Sequence, residues 1–186
     1  MDRTIITEEM LKNVKSFHGH WCPGLAIGIR ASEMALKKLG HSSDEEIVAI
    51  AETDFCGVDA VQYLTGCTLG KGNLIIREYG KVAFNFYRRV DGRSFRIILR
   101  APEEYDKGER SYADLVHHEK ATIIMQAELE KLFQTDNPIE PIPPAASVKN
   151  NLICDTCGEP FMETKARLHN GQILCIPCIE RIMLQR

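Results

Sequence analysis

No apolar run in these 186 residues approaches the roughly 18–20 needed to cross a bilayer. The N-terminal stretch MDRTIITEEMLKNVK also lacks the apolar segment of a secretory signal. Both absences predict a soluble, cytoplasmic protein with no membrane partner. An excess of charge of one sign is missing too: 23 Lys and Arg face 26 Asp and Glu, for a formal charge of −3 and a pI near 6.1. Nothing global therefore pulls the chain toward nucleic acid. Internal repeats are absent as well. What is present is a hydrophobic fraction of 44%, enough for a real core, and seven cysteines, an odd number. Four of these form two CxxC pairs, and in a reducing compartment such pairs read as metal ligands before disulfides.

The strongest break in pattern is TDNPIEPIPPAASVKN, residues 135–150, which holds four of the eight prolines. It reads as a stiff, extended linker. The chain is thereby divided into a core over 1–134, a linker over 135–150 and a tail over 151–186. In the core, Thr7-Glu8-Glu9 opens a short helix, and Pro23 opens a second that runs to Gly40 with Leu25, Ile29, Ser32, Leu36 and Leu39 on one face. A strand is expected over 45–53 and a helix over 54–66. From Asn73 the period changes to two, and LIIREY, KVAFNFYRR and SFRIILR predict an antiparallel meander. A long helix from about Tyr112 to Phe133 is expected next, with Leu115, Thr122, Met125, Leu129 and Leu132 as its apolar stripe. The fold class is α+β, an antiparallel sheet packed with helices, followed by a small finger.

A tail of 36 residues cannot stay folded on apolar burial alone. Cys154-x2-Cys157 and Cys175-x2-Cys178, 17 residues apart, supply the staple as a four-cysteine structural zinc site. Redox pairs of the thioredoxin kind would need a βαβ scaffold instead. A knuckle, a hairpin at QIL and a helix at IPCIERIML predict a treble clef. From Asn151 onward Lys165, Arg167, Arg181 and Arg186 balance Asp155, Glu159, Glu163 and Glu180. So neutral a surface favours protein contacts over phosphate, and a nucleic-acid partner is not expected.

In FHGHWCPG, His18, His20 and Cys22 alternate ahead of a helix start, so in extended backbone all three would point one way. Cys22 falls at the helix N-cap, where free amides and the dipole favour a thiolate. Cys56 in DFCGVDA, flanked by Asp54 and Asp59, occupies the same kind of place. Convergence of the two helix starts would join Cys22 and Cys56 with His18 or His20. The residues leave open a metal with mixed N/S ligands and an open position, or a dithiol pair. His20, Cys22 and Cys56 are the candidate catalytic residues.

GCTLGKGN resembles a phosphate loop but fails its pattern: the glycine interval is one residue short, Gly72 replaces Ser or Thr, and a helix precedes it. Cys67 and Lys71 remain candidate cofactor-binding residues, Lys71 as a cation that reaches an anion near the core site. His118 is read as a satisfied histidine of the core. Within 81–100, Lys81, Arg88, Arg89, Arg93, Arg96 and Arg100 stand against Asp91 alone, as a solvated face or a hold for an anionic cofactor or acidic partner.

FHGHWCPGLAIGIRA, DFCGVDAVQYLTGCTLGKGNL and a C-terminal finger together resemble the formylmethanofuran dehydrogenase E-subunit family along nearly the whole chain. CDTCGEPFMETKARL with CIPC is similar to the finger of the DksA/TraR transcription regulators. The first resemblance implies an α+β core, a treble-clef finger, homodimers and an anaerobic host. It also implies association with a molybdenum- or tungsten-pterin oxidoreductase that reduces carbon dioxide to a formyl group in methanogenesis. Its motif residues fall on His18, His20, Cys22, Cys56, Cys67 and Lys71. Two functions follow as expectations. One is a metal-binding accessory or redox subunit with zinc, nickel or iron in its core; the other is a non-enzymatic zinc-finger adaptor or regulator acting on a protein client.

Overall fold

In the computed structural model the described residues are 5–41, 44, 46–104, 106, 108 and 110–184. They form two compact units, Met1–Ala146 and Ser147–Arg186. In the first, α1 (Glu8–His18) begins at Thr7, whose hydroxyl accepts the Met10 N–H at 3.2 Å, and acidic Glu8 and Glu9 fill its first turn. It ends at Gly19, where φ is +92° and the N–H returns to the Lys15 carbonyl. A left-handed turn of this kind suits glycine. After His20 and Trp21, α2 (Pro23–Leu39) starts on Cys22 and stops at Gly40.

α2 is buried on nearly every side and divides the core in two. Val14, Leu25, Ile29, Leu36, Ala60 and Leu64 pack between α1, α2 and α3 (Gly57–Thr65). Ala31, Ala35, Leu39, Phe84, Phe86 and Ile97 pack between α2 and the sheet. Phe84, Phe86 and Phe95 form a ring ladder with centroids 5.9 and 5.5 Å apart. Each large apolar side chain so buried contributes about 1.5–3 kcal/mol.

The sheet holds β1 (Ile47–Ala51), β2 (Leu74–Ile76), β3 (Ala83–Arg88), β4 (Ser94–Leu99) and β5 (Phe133–Asp136) in the order β2-β1-β3-β4-β5. The expected meander is corrected in one respect. β2 does not pair with β3 but lies parallel to β1, with Ile50 opposite Ile75, while β3 runs antiparallel between β1 and β4. The cause is the GCTLGKGN loop. Asn73, 1% exposed, donates to the Ile47 carbonyl at 3.0 Å and accepts the Thr68 N–H at 2.9 Å, bringing the chain back beside β1. The strand expected over 45–53 is the shorter β1, and Glu45 lies outside the described residues.

The long helix of the sequence reading is also corrected. Tyr112–Asp114 is a 3₁₀ turn, α4 covers His117–Gln126, α5 covers Leu129–Leu132, and the chain then becomes β5. Extended backbone at Leu115 and Ala127 makes the breaks. Pairing of Phe133 with Leu99 at the sheet edge outweighs the helical pattern. α4 buries Ala121 and Ile124, whereas His118 is exposed and not a core histidine.

Most of the proline-rich stretch, up to Ala146, is part of this unit too. Residues 133–136 are β5, and the segment beyond crosses the far face of the sheet as a strap. Arg77 holds Glu140 with two bonds of 3.2 and 3.1 Å, Tyr79 donates to it, and the Tyr87 hydroxyl donates to the Glu140 carbonyl at 3.0 Å. Burial pushes the Tyr87 phenol up to about 12, so it stays a donor. Arg89 donates to the carbonyls of Pro143, which is buried, and Pro144. Beneath the strap, Glu52 takes a two-pronged contact from Arg96 at 2.6 and 2.8 Å and a bond from Asn85.

In the second unit β6 (Asn151–Ile153) and β7 (Pro160–Met162) flank the first cysteine pair, and β8 (Arg167–His169) with β9 (Gln172–Leu174) leads to the second pair at α6 (Ile176–Leu184). This is a treble-clef finger. Among the described residues no helix is long and apolar enough to cross a membrane.

Candidate metal centres

Among the described residues two groups of His and Cys side chains are set to share one ion, each with its ligand atoms within 4.8 Å of one another. In the finger these are Cys154, Cys157, Cys175 and Cys178. Backbone N–H groups of Cys157 and Cys175 pull the Cys154 thiol down to about 6, and the Cys175 N–H lies 3.4 Å from its sulfur. Cys178 is pushed up to about 12, first by its bond to Cys175 and then by burial. Four thiolates so close repel each other unless a cation lies between them. The donor set fits zinc, and Leu174 with Phe161, Ile179 and Ile182 forms the small apolar shell around it.

The second group is His18, His20, Cys22 and Cys56. His18 and His20 do not lie on an extended segment. His18 is the last residue of α1, Gly19 reverses the chain, and His20 comes back over it with ring centroids 4.4 Å apart. Cys22 is the N-cap of α2, its sulfur accepting the Leu25 N–H at 3.3 Å, and Cys56 is the N-cap of α3. The two helix starts meet because three glycines remove what would separate them. A Cβ on Gly28 would lie 2.1 Å from the Gly57 carbonyl oxygen, and one on Gly24 would lie 3.0 Å from the Cys56 Cβ.

Asp59, which the sequence offered only as a flanking acid, is an additional participant. Its Oδ2 lies 2.8 Å from His18 Nδ1. A carboxylate only accepts, so Nδ1 carries a proton and Nε2 is left to face inward, 3.8 Å from the Cys22 sulfur. A carboxylate behind a histidine is the usual outer partner of a metal ligand. The signal was its position, one turn into the helix that Cys56 begins. Burial, then the neighbouring Cys22 thiol, raises the Cys56 thiol. Cys22 is buried and His18 half-buried, while His20 is exposed, so the cluster opens to solvent on the His20 side.

Cys67 and Lys71 are not part of this cluster. Cys67 lies beyond the other end of α3, fully buried, and donates to the Ile47 carbonyl at 3.4 Å. Burial pushes its thiol up to about 11, which makes it inert. Lys71 reaches the Asp44 carbonyl at 3.3 Å. The arginines of β3, β4 and the turn between them are engaged within their own unit: Arg88 with Glu46, Arg93 with Asp91, Arg96 with Glu52.

The family model described as FmdE, of the molybdenum formylmethanofuran dehydrogenase operon, matches residues 17–136. A model of the prokaryotic DksA/TraR C4-type zinc finger matches residues 150–182. A probable S-adenosyl-L-methionine-binding protein of Archaeoglobus fulgidus is 33% identical over 198 aligned positions, which take in 91% of this chain. The chain spans 52% of that relative's length. The crystal structure of an FmdE-like protein of the tungsten formylmethanofuran dehydrogenase type, from Syntrophus aciditrophicus, superposes with a TM-score of 0.64. It is 24% identical, over 92% of this chain and 91% of that one, and shows a shared fold. With its core spanned by one model and its finger by the other, this chain belongs to the FmdE family and carries a DksA/TraR-type zinc finger.

Proposed function

We propose that the core holds one transition metal, zinc, nickel or iron, on His18, His20, Cys22 and Cys56. On this reading the protein is a cytoplasmic metal-binding accessory or redox subunit, homodimeric, beside a molybdenum or tungsten enzyme of anaerobic one-carbon chemistry. The observation that carries the metal reading is the convergence of four ligand atoms from three separate helix ends within 4.8 Å, with Asp59 fixing the tautomer of His18. Association with the larger enzyme is supported by the family name alone.

Such a metal supplies a Lewis acid that polarises a bound group. The residues of the chain divide the remaining work. Cys22 and Cys56 hold from the buried side, and His18 is locked by Asp59. Exposed His20 would be the ligand best placed to give way to a substrate or a client protein. A pair of reactive thiols without metal is the competing arrangement, but it leaves the two imidazoles gathered with the sulfurs without a role.

Metal analysis of the full chain tests the proposal. The wild type should carry two equivalents and Cys22→Ser one, the finger staying loaded. Equal metal content in both would refute it and leave an adaptor that acts through its finger.

A further inference from the structure

A cleft of about 590 Å³ runs between α1 and α4. Lys12 and Lys15 form one wall, His118 and Met125 the other, and Leu11 and Trp21 lie between them. Trp21 stands between His20 and Cys22 in the chain, and Lys15 precedes His18 by three residues, about one helical turn. Trp21 thus ties the cleft to the core cluster through the chain, though none of His18, His20, Cys22 and Cys56 lines it. His118 and Thr122 also line a separate hollow of about 720 Å³, which carries Asp106, Arg110 and Glu119.

Arg77, Arg88, Arg93, Arg96 and Arg110 each sit against a carboxylate. Lys12 and Lys15, three residues apart on one face of α1, have no ion pair among the described residues, and no acidic residue lines the cleft. Two ammonium groups lining one cleft with an indole and a thioether suit a molecule that is anionic at one end and flat and apolar at the other.

We infer that this cleft binds a small organic anion, its planar body against Trp21 and Met125 and its charged head on Lys12 and Lys15. The inference deepens the metal-site reading, on which it rests for any chemistry, by naming the class of molecule brought to Trp21, the residue between His20 and Cys22.

Trp21 is the single tryptophan of the chain, so its emission reports the occupancy of the cleft directly. The metal-loaded full chain is titrated with phenyl phosphate, with benzoate and with benzyl alcohol as the neutral control. At least one of the two anions should quench saturably and bind about tenfold tighter than benzyl alcohol, the tighter one identifying the head group. Lys12→Gln/Lys15→Gln, changed only at exposed positions, should lose about tenfold in affinity with unaltered melting temperature and metal content. The inference is overturned if neither anion saturates up to roughly 10 mM, if benzyl alcohol binds as tightly, or if the double variant binds like the wild type. Metal content is measured on the same samples. Zinc in the finger alone would end the metal reading, and the titration would still decide the cleft.

Discussion

Gly28→Ala tests the step from helix packing to ligand geometry. The new Cβ would lie 2.1 Å from the Gly57 carbonyl oxygen and 2.5 Å from its Cα, and those atoms are backbone that cannot swing aside. Carbon and oxygen sit comfortably at about 3.3 Å, so α2 and α3 must part by about 1 Å. Overpacking of this kind costs about 1–3 kcal/mol, and a wedge against backbone falls at the upper end. Alanine in place of glycine inside a helix returns about 1 kcal/mol. The net expectation is a loss of about 1–2 kcal/mol in urea unfolding followed by Trp21 emission. The same displacement carries Cys56, at the start of α3, away from Cys22, at the start of α2. Metal–ligand distances tolerate only about 0.2 Å, so the core metal should be lost while the finger keeps its zinc. Gly70→Ala is the control, with nothing within 4 Å of the added carbon and a change within about 0.5 kcal/mol expected. If Gly28→Ala were as stable as the wild type and kept both metals, close helix approach would not be what assembles the site.

Asp59→Ala removes the partner of His18 Nδ1 and should weaken core-metal affinity about 10–100-fold in a chelator competition, leaving the finger untouched. Glu52→Gln leaves the buried Arg96 guanidinium with only the half-exposed Asp136, 3.8 Å away, as counter-charge and should cost about 3 kcal/mol in thermal or urea unfolding. The bond from Arg96 is the largest influence on the Glu52 carboxyl and holds it below its usual range. Its stabilisation is therefore complete above the unfolded value of about 4.5 and is lost as pH falls through the lower folded value. Acid unfolding curves of Glu52→Gln should be correspondingly flatter in that window. Cys154→Ser should release one zinc and expose Ser147–Arg186 to trypsin, because binding worth about 10–16 kcal/mol folds that unit, while the melting of Met1–Ala146 stays unchanged.

Much of the site could be read in the sequence because it is built from helix ends, and helix ends are what sequence marks best. Thr7, Pro23 and Gly40 delimit α1 and α2 as expected, and the FHGHWCPG and DFCG stretches both abut helix starts. What failed was anything decided by a distant partner. The parallel pairing of β2 depends on Asn73 bonding to Ile47, and the conversion of residues 133–136 to strand depends on the free edge of β4. Neither has a local signature. The proline-rich segment looked like a spacer because its composition is extended. The bonds that pin it to the sheet come from Arg77, Tyr79, Tyr87 and Arg89, roughly fifty to sixty positions earlier in the chain.

The two glycine-rich stretches show how one residue type can serve opposite ends. GCTLGKGN looks like a cradle for an anion, yet its turn returns the chain to β1, with Cys67 sealed inside and Lys71 capping a carbonyl. In PGLAIG the glycines offer no ligand atom, and a Cβ on Gly24 would lie 3.7 Å from the Cys56 sulfur. Gly28 and Gly57 instead bring two helices close enough that the cysteines at their N-caps fall within one group of candidate ligands. The chemical potential of the core therefore resides as much in the missing side chains of Gly24, Gly28 and Gly57 as in the sulfur and imidazole they bring together. A loss of metal in variants of these glycines, which lie outside the ligand set, is the expected mark of a site assembled by packing.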